Sequence, residues 1–355
     1  MNWFDGESFH AEIKMEHDVV KLNDSEINQK YTKGEIRIIT EQARYPIDTI
    51  PTMIDSKKYH LSPDYQRRKR WNNKRKSRLI ESFIMNVPIP PIFLYEVTYS
   101  EYEVMDGLQR LTTIVDFYSN NFKLEGLEYW RELEGRTYSE LPSEVKKGID
   151  RRYLSSIILL QETAKNKEEA EALKQIVFER LNSGGERLQS QETRNALYDG
   201  KFNKLCIKLS ANNKFREMWK IPLDSKKLSE SEIYKKMEDV ELVLRFFAYR
   251  FIEKQKGYTV EKFLDEYLRQ ANSFSDNTIK NLEILFNETI DTVYAIFKSH
   301  AFYMPTNQRI TKVPAKIIYD ALMQALAINI KQKDEILAKS DIIANGIYLK
   351  YRESG

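Results

Sequence analysis

The residues best suited to chemistry lie between residues 104 and 113, where Asp106, Gly107, Gln109 and Arg110 follow one another closely. A guanidinium is a bidentate donor suited to phosphate, and Gly107 permits a backbone turn that a side chain would strain. Apolar spacing indicates a strand before this stretch and an amphipathic helix after it. The polar side chains would then lie at a helix N-terminus, which favours an anion. The alternative is a capped strand-to-helix turn, with Arg110 solvated or paired with Asp106.

A basic tract between residues 64 and 78 holds eight lysines and arginines against one aspartate. The positive charges cluster at the start of a predicted helix, where they oppose the helix dipole, and a bound anion would offset that cost. One interpretation is a phosphate-contacting patch for nucleic acid or nucleotide, with an aromatic ring available for stacking. The other is an ordinary solvated face. The candidate DNA contacts are Arg68, Arg70, Trp71, Lys74 and Arg75.

Predicted elements lead into the central motif from its N-terminal side. A helix with its apolar face beginning at Leu79 ends before the prolines of residues 88–91, which cannot continue it. Two apolar runs, 92–97 and 102–105, predict an antiparallel hairpin that delivers the chain to Asp106.

Further elements follow the motif. Residues 122–127 are expected to form a short strand or a turn, and the β-branched run 154–160 predicts the best central strand of the chain. A helix is expected over residues 166–181, and the Asn182 to Gly185 sequence that follows is typical of a helix C-terminal cap.

The two ends of the chain give different patterns. Residues 2–17 are expected to form a short helix or a flexible start, and residues 35–40 a strand. From residue 201 onwards the periodicity is helical throughout. Residues 229–232 have the spacing of a capping box, and apolar residues at intervals of four and three continue to Phe251, which predicts one long bundle helix.

Composition bounds the class of protein. The chain has 355 residues, which at ~150 residues per domain suggests two domains. Its formal net charge of +3 means that any basic surface is local. Cys206 is the only cysteine, which excludes an intrachain disulfide and fits a reducing cytoplasm. The four histidines are isolated, so we expect no metal ligand set. No signal-length or ~20-residue apolar run occurs, so we expect a cytoplasmic protein without a membrane partner.

The order of motifs up to residue 200 resembles the N-terminal domain of the GmrSD-type restriction family, which has a ParB/sulfiredoxin-like fold. The family's usual central motif is Asp-Gly-Gln-Gln-Arg, and Leu108 here replaces its first glutamine. The stretches that carry the resemblance are Tyr65-Gln66-Arg67 with Trp71, Leu79-Ile80-Glu81-Ser82, Pro88-Ile89-Pro90, Asp106 to Thr113 and Phe178 to Gly185.

This resemblance implies an α+β fold: a small mixed sheet with helices over residues 1–200, followed by an all-α helical domain over residues 201–355. It also implies nucleotide binding, hydrolysis of nucleoside triphosphates (NTPs), and a role in prokaryotic defence against phage or modified DNA. The catalytic residues carried over are Asp106, Gln109 and Arg110. The phosphate-binding residues carried over are Gln66, Arg67, Gly107, Thr112, Asn182 and Gly184, and Glu81 is a further candidate.

The roles implied are specific. Arg110 and Arg67 would clamp phosphate charge, and Asp106 would position a metal-bound or free water, or fix Arg110. Gln109 and Asn182 would orient substrate oxygens. A Mg²⁺ ion bridging the phosphates suits such a reaction, although no dedicated metal motif is visible.

A departure from the family lies in the C-terminal half. Restriction members often carry a nuclease domain with a histidine-centred motif, and residues 200–355 supply none. We therefore expect no DNA cleavage by this chain alone. The competing hypothesis is a non-catalytic DNA-binding or scaffolding subunit that acts with a separate nuclease or methyltransferase. The sequence leaves the oligomeric state open.

Overall fold

The computed structural model describes residues 4–10, 22–33, 38–61, 71–160, 167–182, 190–255, 257–305 and 310–353. The chain divides into two compact units. The first is Asp18–Leu188, and the second combines Met1–His17 with Gln189–Gly355. Compared with the domain limits drawn from the sequence, the second unit also takes in the first residues of the chain and the stretch before residue 201.

The first unit is built on a five-stranded mixed sheet. Its order is β1-β5-β3-β4-β2, with parallel pairing between β3 and β5 and between β2 and β4, and antiparallel pairing elsewhere. The two edge strands approach each other where the hydroxyls of Tyr45 and Tyr59 lie 3.4 Å apart. The strands are β1 Thr40–Pro46, β2 Tyr59–His60, β3 Ile92–Thr98, β4 Glu101–Asp106 and β5 Tyr153–Leu159.

Helices cover this sheet through a continuous apolar core. Ile92 and Leu94 of β3 pack with Leu111 and Ile114 of α4, and all four side chains are fully buried. Alternate residues of β3 and β5 point into this core, as the period of a strand requires. The helices are α1 Asp24–Lys33, α2 Ile50–Asp55, α3 Asn73–Met85, α4 Leu108–Tyr118, α5 Ser143–Asp150 and α6 Lys167–Asn182.

Several predicted elements of this unit are confirmed, and others are corrected. The antiparallel hairpin and the interior position of the 154–160 strand are both present. Residues 122–127, expected as a short strand or a turn, form no strand, and Leu124 bonds the backbone of a tight loop at residues 135–136. The strand predicted at 35–40 begins only at Thr40, while residues 34–37 lie outside the described part. At the end of α3 it is Asn86, in a left-handed conformation, that stops the helix.

The second unit is helical, with one short hairpin. Its core is rich in phenylalanine, and Phe246, Phe247 and Phe286 are buried in mutual ring contact. The helices are α7 Ser190–Leu197, α8 Lys201–Leu209, α9 Asn213–Met218, α10 Ser225–Glu230, α11 Glu232–Lys235, α12 Glu238–Ala248, α13 Val260–Ala271, α14 Asp276–Phe297, α15 Lys316–Ile328, α16 Lys333–Ala338 and α17 Ser340–Glu353. The hairpin pairs β6 Tyr303–Pro305 with β7 Ile310–Pro314.

The long bundle helix predicted from residue 229 to Phe251 is wrong. Met237 adopts a left-handed backbone conformation with φ of 57°, so the helix is interrupted there and α12 begins at Glu238. Met237 is fully buried, and Asn195 donates a hydrogen bond to its sulfur. Tertiary contacts therefore override a continuous apolar periodicity at this position.

The architecture as a whole is the expected one, an α+β unit with a helical region after it. Among the described helices, none combines the length and the apolar character needed to cross a bilayer.

Candidate functional site

A strand, a single glycine and a helix form the centre of the candidate site. Strand β4 ends at Asp106, Gly107 adopts φ of 95°, and α4 begins at Leu108. A β-carbon added at Gly107 would lie 2.3 Å from Cγ2 of Ile92. Both the backbone conformation and this contact require glycine. The turn predicted from the sequence is confirmed.

The N-terminus of α4 has no capping side chain, because its N-cap residue is Gly107. Leu111 is the first residue whose N–H bonds back along the helix, to the carbonyl of Gly107. The N–H groups of the first turn before it have no acceptor within the helix. Together with the helix dipole, they make the start of α4 a suitable place for an anion.

Arg110 is held across this turn by two acceptors. Its Nη2 donates to Asp106 Oδ2 at 2.7 Å and to the carbonyl oxygen of Pro91 at 3.2 Å. The Arg110 side chain is 15% exposed, while that of Asp106 is 51% exposed. The Nε of Arg110 is buried and has no hydrogen-bond partner among the described residues. The guanidinium is thus fixed in orientation and paired with Asp106, as the plainer interpretation of the motif expects.

Gln109 connects the turn to the start of the basic tract. Its Oε1 accepts the backbone N–H of Trp71 at 3.1 Å. Its own carbonyl accepts the hydroxyls of Thr113 at 2.7 Å and Thr112 at 3.3 Å. Thr112, a predicted phosphate ligand, therefore directs its hydroxyl to the backbone of its own helix.

Helix α3 carries the described part of the basic tract. The side chain of Asn72 caps it by accepting the N–H of Arg75, and the Arg75 guanidinium lies 4.7 Å from the centre of the Trp71 ring. Two further cations of this helix bind acids of the same unit. Lys76 contacts Asp116 at 2.6 Å, and Arg78 contacts Glu128 at 3.0 Å.

Another predicted DNA contact, Lys74, lies beside a tight turn of the same unit. A β-carbon added at Gly126 would meet its stem at 3.3 Å.

Glu81 has a structural partner of its own. Its carboxylate is buried and accepts the backbone N–H groups of Glu128, Tyr129 and Trp130 at 2.8 to 3.2 Å. These hydrogen bonds hold the turn at residues 128–130 against α3. This contact gives the glutamate a structural role, and its role in binding a ligand stays a prediction.

Helix α6 is tied to the sheet beneath the candidate site. Lys174 Nζ contacts Glu103 Oε2 at 2.6 Å, both side chains are largely buried, and the ammonium lies 5.6 Å from the centre of the Tyr95 ring. This ion pair fixes α6, which ends at Asn182.

The structure therefore brings together one part of the predicted site. Asp106, Gly107, Gln109 and Arg110 share the turn, and Trp71 is bonded to it. The side chain of Asn182 lies outside the described part of the chain, as do the predicted ligands Gln66, Arg67, Arg68, Arg70 and Gly184. Their convergence on the turn stays a prediction.

Sequence reasoning missed three contributors to this site. The carbonyl of Pro91 orients Arg110, the side chain of Ile92 enforces the glycine, and Lys174 anchors α6. Pro91 was interpreted only as part of the signal that ends the preceding helix, and Ile92 only as the first residue of the predicted strand. A lysine at an otherwise helical position carries no signal of a distant ion pair.

No cluster of three or more histidine, cysteine, aspartate or glutamate side chains able to hold a metal ion occurs in the described ranges. A Mg²⁺ ion bound mainly by substrate phosphates needs only one or two protein carboxylates. The exposed Asp106 is the carboxylate at this turn that could serve such an ion.

Comparison with known proteins identifies the region that contains the turn. Residues 50–198 match the family model described as GmrSD restriction endonuclease, N-terminal domain. No curated protein and no solved structure gives a significant match to the chain, so the expected ParB/sulfiredoxin likeness stays a prediction. The matched family belongs to restriction-type defence systems that act on DNA. Residues 50–198 thus form a GmrSD-type N-terminal domain.

Proposed function

We propose that the turn from Asp106 to Arg110 binds the phosphates of an NTP and supports its hydrolysis, within a restriction-type system that acts on DNA. The observation that carries this proposal is the uncapped start of α4 beside an arginine of fixed orientation. A helix N-terminus and a guanidinium both favour phosphate oxygens. The close contact of Gly107 with Ile92 keeps the backbone N–H groups in place.

Each described residue has a role in this proposal. Arg110 supplies positive charge to the phosphates through a guanidinium that needs no reorganisation on binding. Asp106, half exposed, positions the attacking water, free or bound to a Mg²⁺ ion that arrives with the nucleotide. Gln109, whose amide oxygen accepts the N–H of Trp71, orients a phosphate oxygen.

The remaining roles rest on the family resemblance. Arg67 and Gln66 would complete the phosphate clamp, and Asn182 with Gly184 would close the site from the end of α6.

For DNA, the proposed contact is the start of α3. The Arg75 guanidinium stacked on the Trp71 ring forms a cationic aromatic surface, with Lys74 on the same first turn. Such surfaces bind phosphates and stack on bases. Arg68 and Arg70 would extend this surface.

A non-catalytic, scaffolding or DNA-binding subunit is the second candidate. The observation that favours it is the ion pair between Asp106 and Arg110, which already compensates the charge that a phosphate would otherwise neutralise. Leu108 in place of the family's glutamine points the same way. Such a subunit would act with a separate nuclease or methyltransferase.

Nucleotide titration calorimetry and phosphate-release assays separate the two candidates. With NTP and Mg²⁺, the wild type is expected to bind nucleotide and release phosphate. Arg110→Ala and Asp106→Asn should lose release by about 100-fold, the scale of a lost transition-state contact. Arg131→Ala, which removes an exposed arginine of the same unit, is the matched control. Binding without phosphate release supports the non-catalytic subunit, and an absence of any nucleotide binding ends the NTPase proposal.

DNA binding is tested by its salt dependence. Replacement of Lys74 and Arg75 by alanine should weaken binding and reduce the salt slope by about 0.9 for each lost phosphate contact. Arg78→Ala serves as the control, because that cation of the same helix contacts Glu128. Equal losses in both variants would remove the proposed contact surface.

A further inference from the structure

The first described residues of the chain, 4–10, lie against the helical unit as a turn at residues 4–7 followed by an irregular stretch. Residues 7–10 belong to no helix or strand, and burial alternates along them: Glu7 and Phe9 are buried, whereas Ser8 and His10 are exposed. Alternation of this kind is what an extended ligand shows when it lies on a surface. We name residues 4–10 the N-terminal segment.

Phe9 is the apolar anchor of this segment. Its side chain is fully buried, with ring centroids 5.9 Å from Phe251, 5.4 Å from Phe263 and 5.9 Å from Tyr267. The ring of Phe263 meets it edge to face, a favoured aromatic arrangement. The helical unit thus supplies a pocket of the size and shape of one aromatic side chain.

Glu7 is a second anchor, of opposite chemistry. Its carboxylate accepts from Arg250 Nη2 at 2.9 Å, and both side chains are almost wholly buried. The segment turns just before it, where Thr278 donates its hydroxyl to the carbonyl of Asp5 and Arg250 lies over the Phe4 ring. An unpaired carboxylate or guanidinium would be costly at this depth, so the pair selects an acidic residue.

The backbone of the segment is recognised by side chains. The amide of Gln270 accepts the N–H of His10 at 2.9 Å and donates to its carbonyl at 2.8 Å. The ammonium of Lys254 donates to the carbonyl of Phe9 at 2.6 Å. These hydrogen bonds, together with that of Thr278 to Asp5, come from side chains of the helical unit. Contacts of this kind bind a peptide without extending a helix or a sheet.

We propose that this surface of the helical unit is a peptide-recognition groove, and that the N-terminal segment is its resident ligand. The groove lies on the turn after α12, on α13 and on the first turn of α14. It selects an extended peptide with an acidic residue two positions before an aromatic one. The segment is a separable partner of the unit, held in place by these two anchors and by the amide clamp of Gln270.

The test uses the full chain with a protease site inserted between residues 14 and 15. After folding, the site is cut and the protein is passed through a sizing column. The cut peptide is expected to remain bound to the wild type. It should dissociate about 10-fold to 100-fold faster from Phe9→Ala and Glu7→Ala, because each loses a buried anchor. Ser8→Ala, between the two anchors, should retain the peptide like the wild type.

Gln270→Ala provides a second readout, since this partly exposed residue is not one of the buried core residues. It should speed peptide release while the circular dichroism of the uncut chain stays unchanged. A fluorescent copy of residues 1–14 should then bind the emptied groove in trans. Immediate loss of the peptide from the cut wild type would overturn the proposal, as would equal retention in Phe9→Ala, Glu7→Ala and Ser8→Ala. Retention only in a dimer whose segment comes from the other chain would overturn the assignment of the occupant.

Discussion

The backbone N–H of Trp71 donates to Oε1 of Gln109, which joins the start of α3 to the first turn of α4. The proposed DNA surface and the proposed phosphate turn are therefore linked through one side chain. If a nucleotide bound at the turn reoriented Gln109, Trp71, on whose ring the Arg75 guanidinium stacks, would move with it.

This link predicts an unequal effect of two substitutions. Gln109→Ala should weaken both nucleotide and DNA binding, because it removes the acceptor that holds Trp71. Gln109→Glu keeps an acceptor for Trp71, so at high salt, where its added charge is screened, it should lose less DNA affinity than Gln109→Ala. Its nucleotide affinity should fall by about 10-fold through charge repulsion. Calorimetry and fluorescence anisotropy on the two variants provide the comparison. Equal DNA affinity in wild type and Gln109→Ala would contradict the link.

Gly107→Ala is expected to destabilise the first unit by about 2–4 kcal/mol. The alanine would be held in a left-handed backbone conformation, which is strained for a residue with a side chain. Its β-carbon would also collide with Ile92 Cγ2 at 2.3 Å. Urea denaturation measures the change. Gly148→Ala is the control, since a β-carbon there meets nothing within 4 Å and the position lies in α5. That control should be neutral or stabilising.

Glu81→Gln separates a structural role from a ligand role. The substitution replaces one acceptor oxygen by an NH₂ group among the N–H donors of Glu128, Tyr129 and Trp130. We expect a loss of about 2–3 kcal/mol in unfolding free energy, the scale for hydrogen bonds to a charged group. Nucleotide affinity of the folded variant should stay unchanged. A variant of native stability that binds nucleotide poorly would return Glu81 to the candidate site.

Acid pH should weaken the loop that follows α4. The Glu134 carboxylate accepts the N–H groups of Gly126 and Leu127, and these hydrogen bonds lower its pKa below 4.5. A lowered pKa in the folded state contributes stability that is present above pH 4.5 and is lost as the pH falls through the folded value.

Glu134→Gln should remove part of this pH dependence. Urea denaturation on both sides of the ordinary carboxyl pKa is the measurement. Glu132→Gln, at an exposed neighbouring position, should keep the wild-type profile. Identical profiles for wild type and Glu134→Gln would show that these hydrogen bonds do not contribute.

Cys206 should be inert in the native protein. Its thiol is fully buried in α8, and burial raises its pKa, so the reactive thiolate is scarce. Iodoacetamide is expected to label it only in denaturant, which makes this single cysteine a clean probe of unfolding of the helical unit. Rapid labelling without denaturant would show that α8 opens locally.

Sequence reasoning succeeded where local sterics decide the structure. The hairpin of β3 and β4 and the turn at Gly107 follow from alternation, from a glycine and from helical spacing over a few residues. The ion pair of Asp106 with Arg110 could be predicted for the same reason, because the two residues are four positions apart in the sequence.

Sequence reasoning failed where contacts between residues distant in sequence determine the structure. The start of the chain was expected to be helical or flexible, but residues 4–10 form no helix and are held by side chains remote in sequence, such as Arg250. The break at Met237 depends on burial against Asn195. The β6–β7 hairpin was missed within a stretch of helical periodicity. For the candidate site, the motif placed the turn correctly, while the orientation of Arg110 by Pro91 required the three-dimensional structure.

Helix α7 shows where this chain can be divided. Its Arg194 is 1% exposed and bonds Asp265 of α13 and Glu241 of α12, yet it lies inside the stretch that matches the GmrSD-type domain. A fragment that stops at residue 198 would carry a guanidinium without these two counter-ions, and the remainder would lose the buried cation that bonds Asp265 and Glu241. Expression trials for isolated halves should therefore cut before Ser190, so that this arginine stays with its acids.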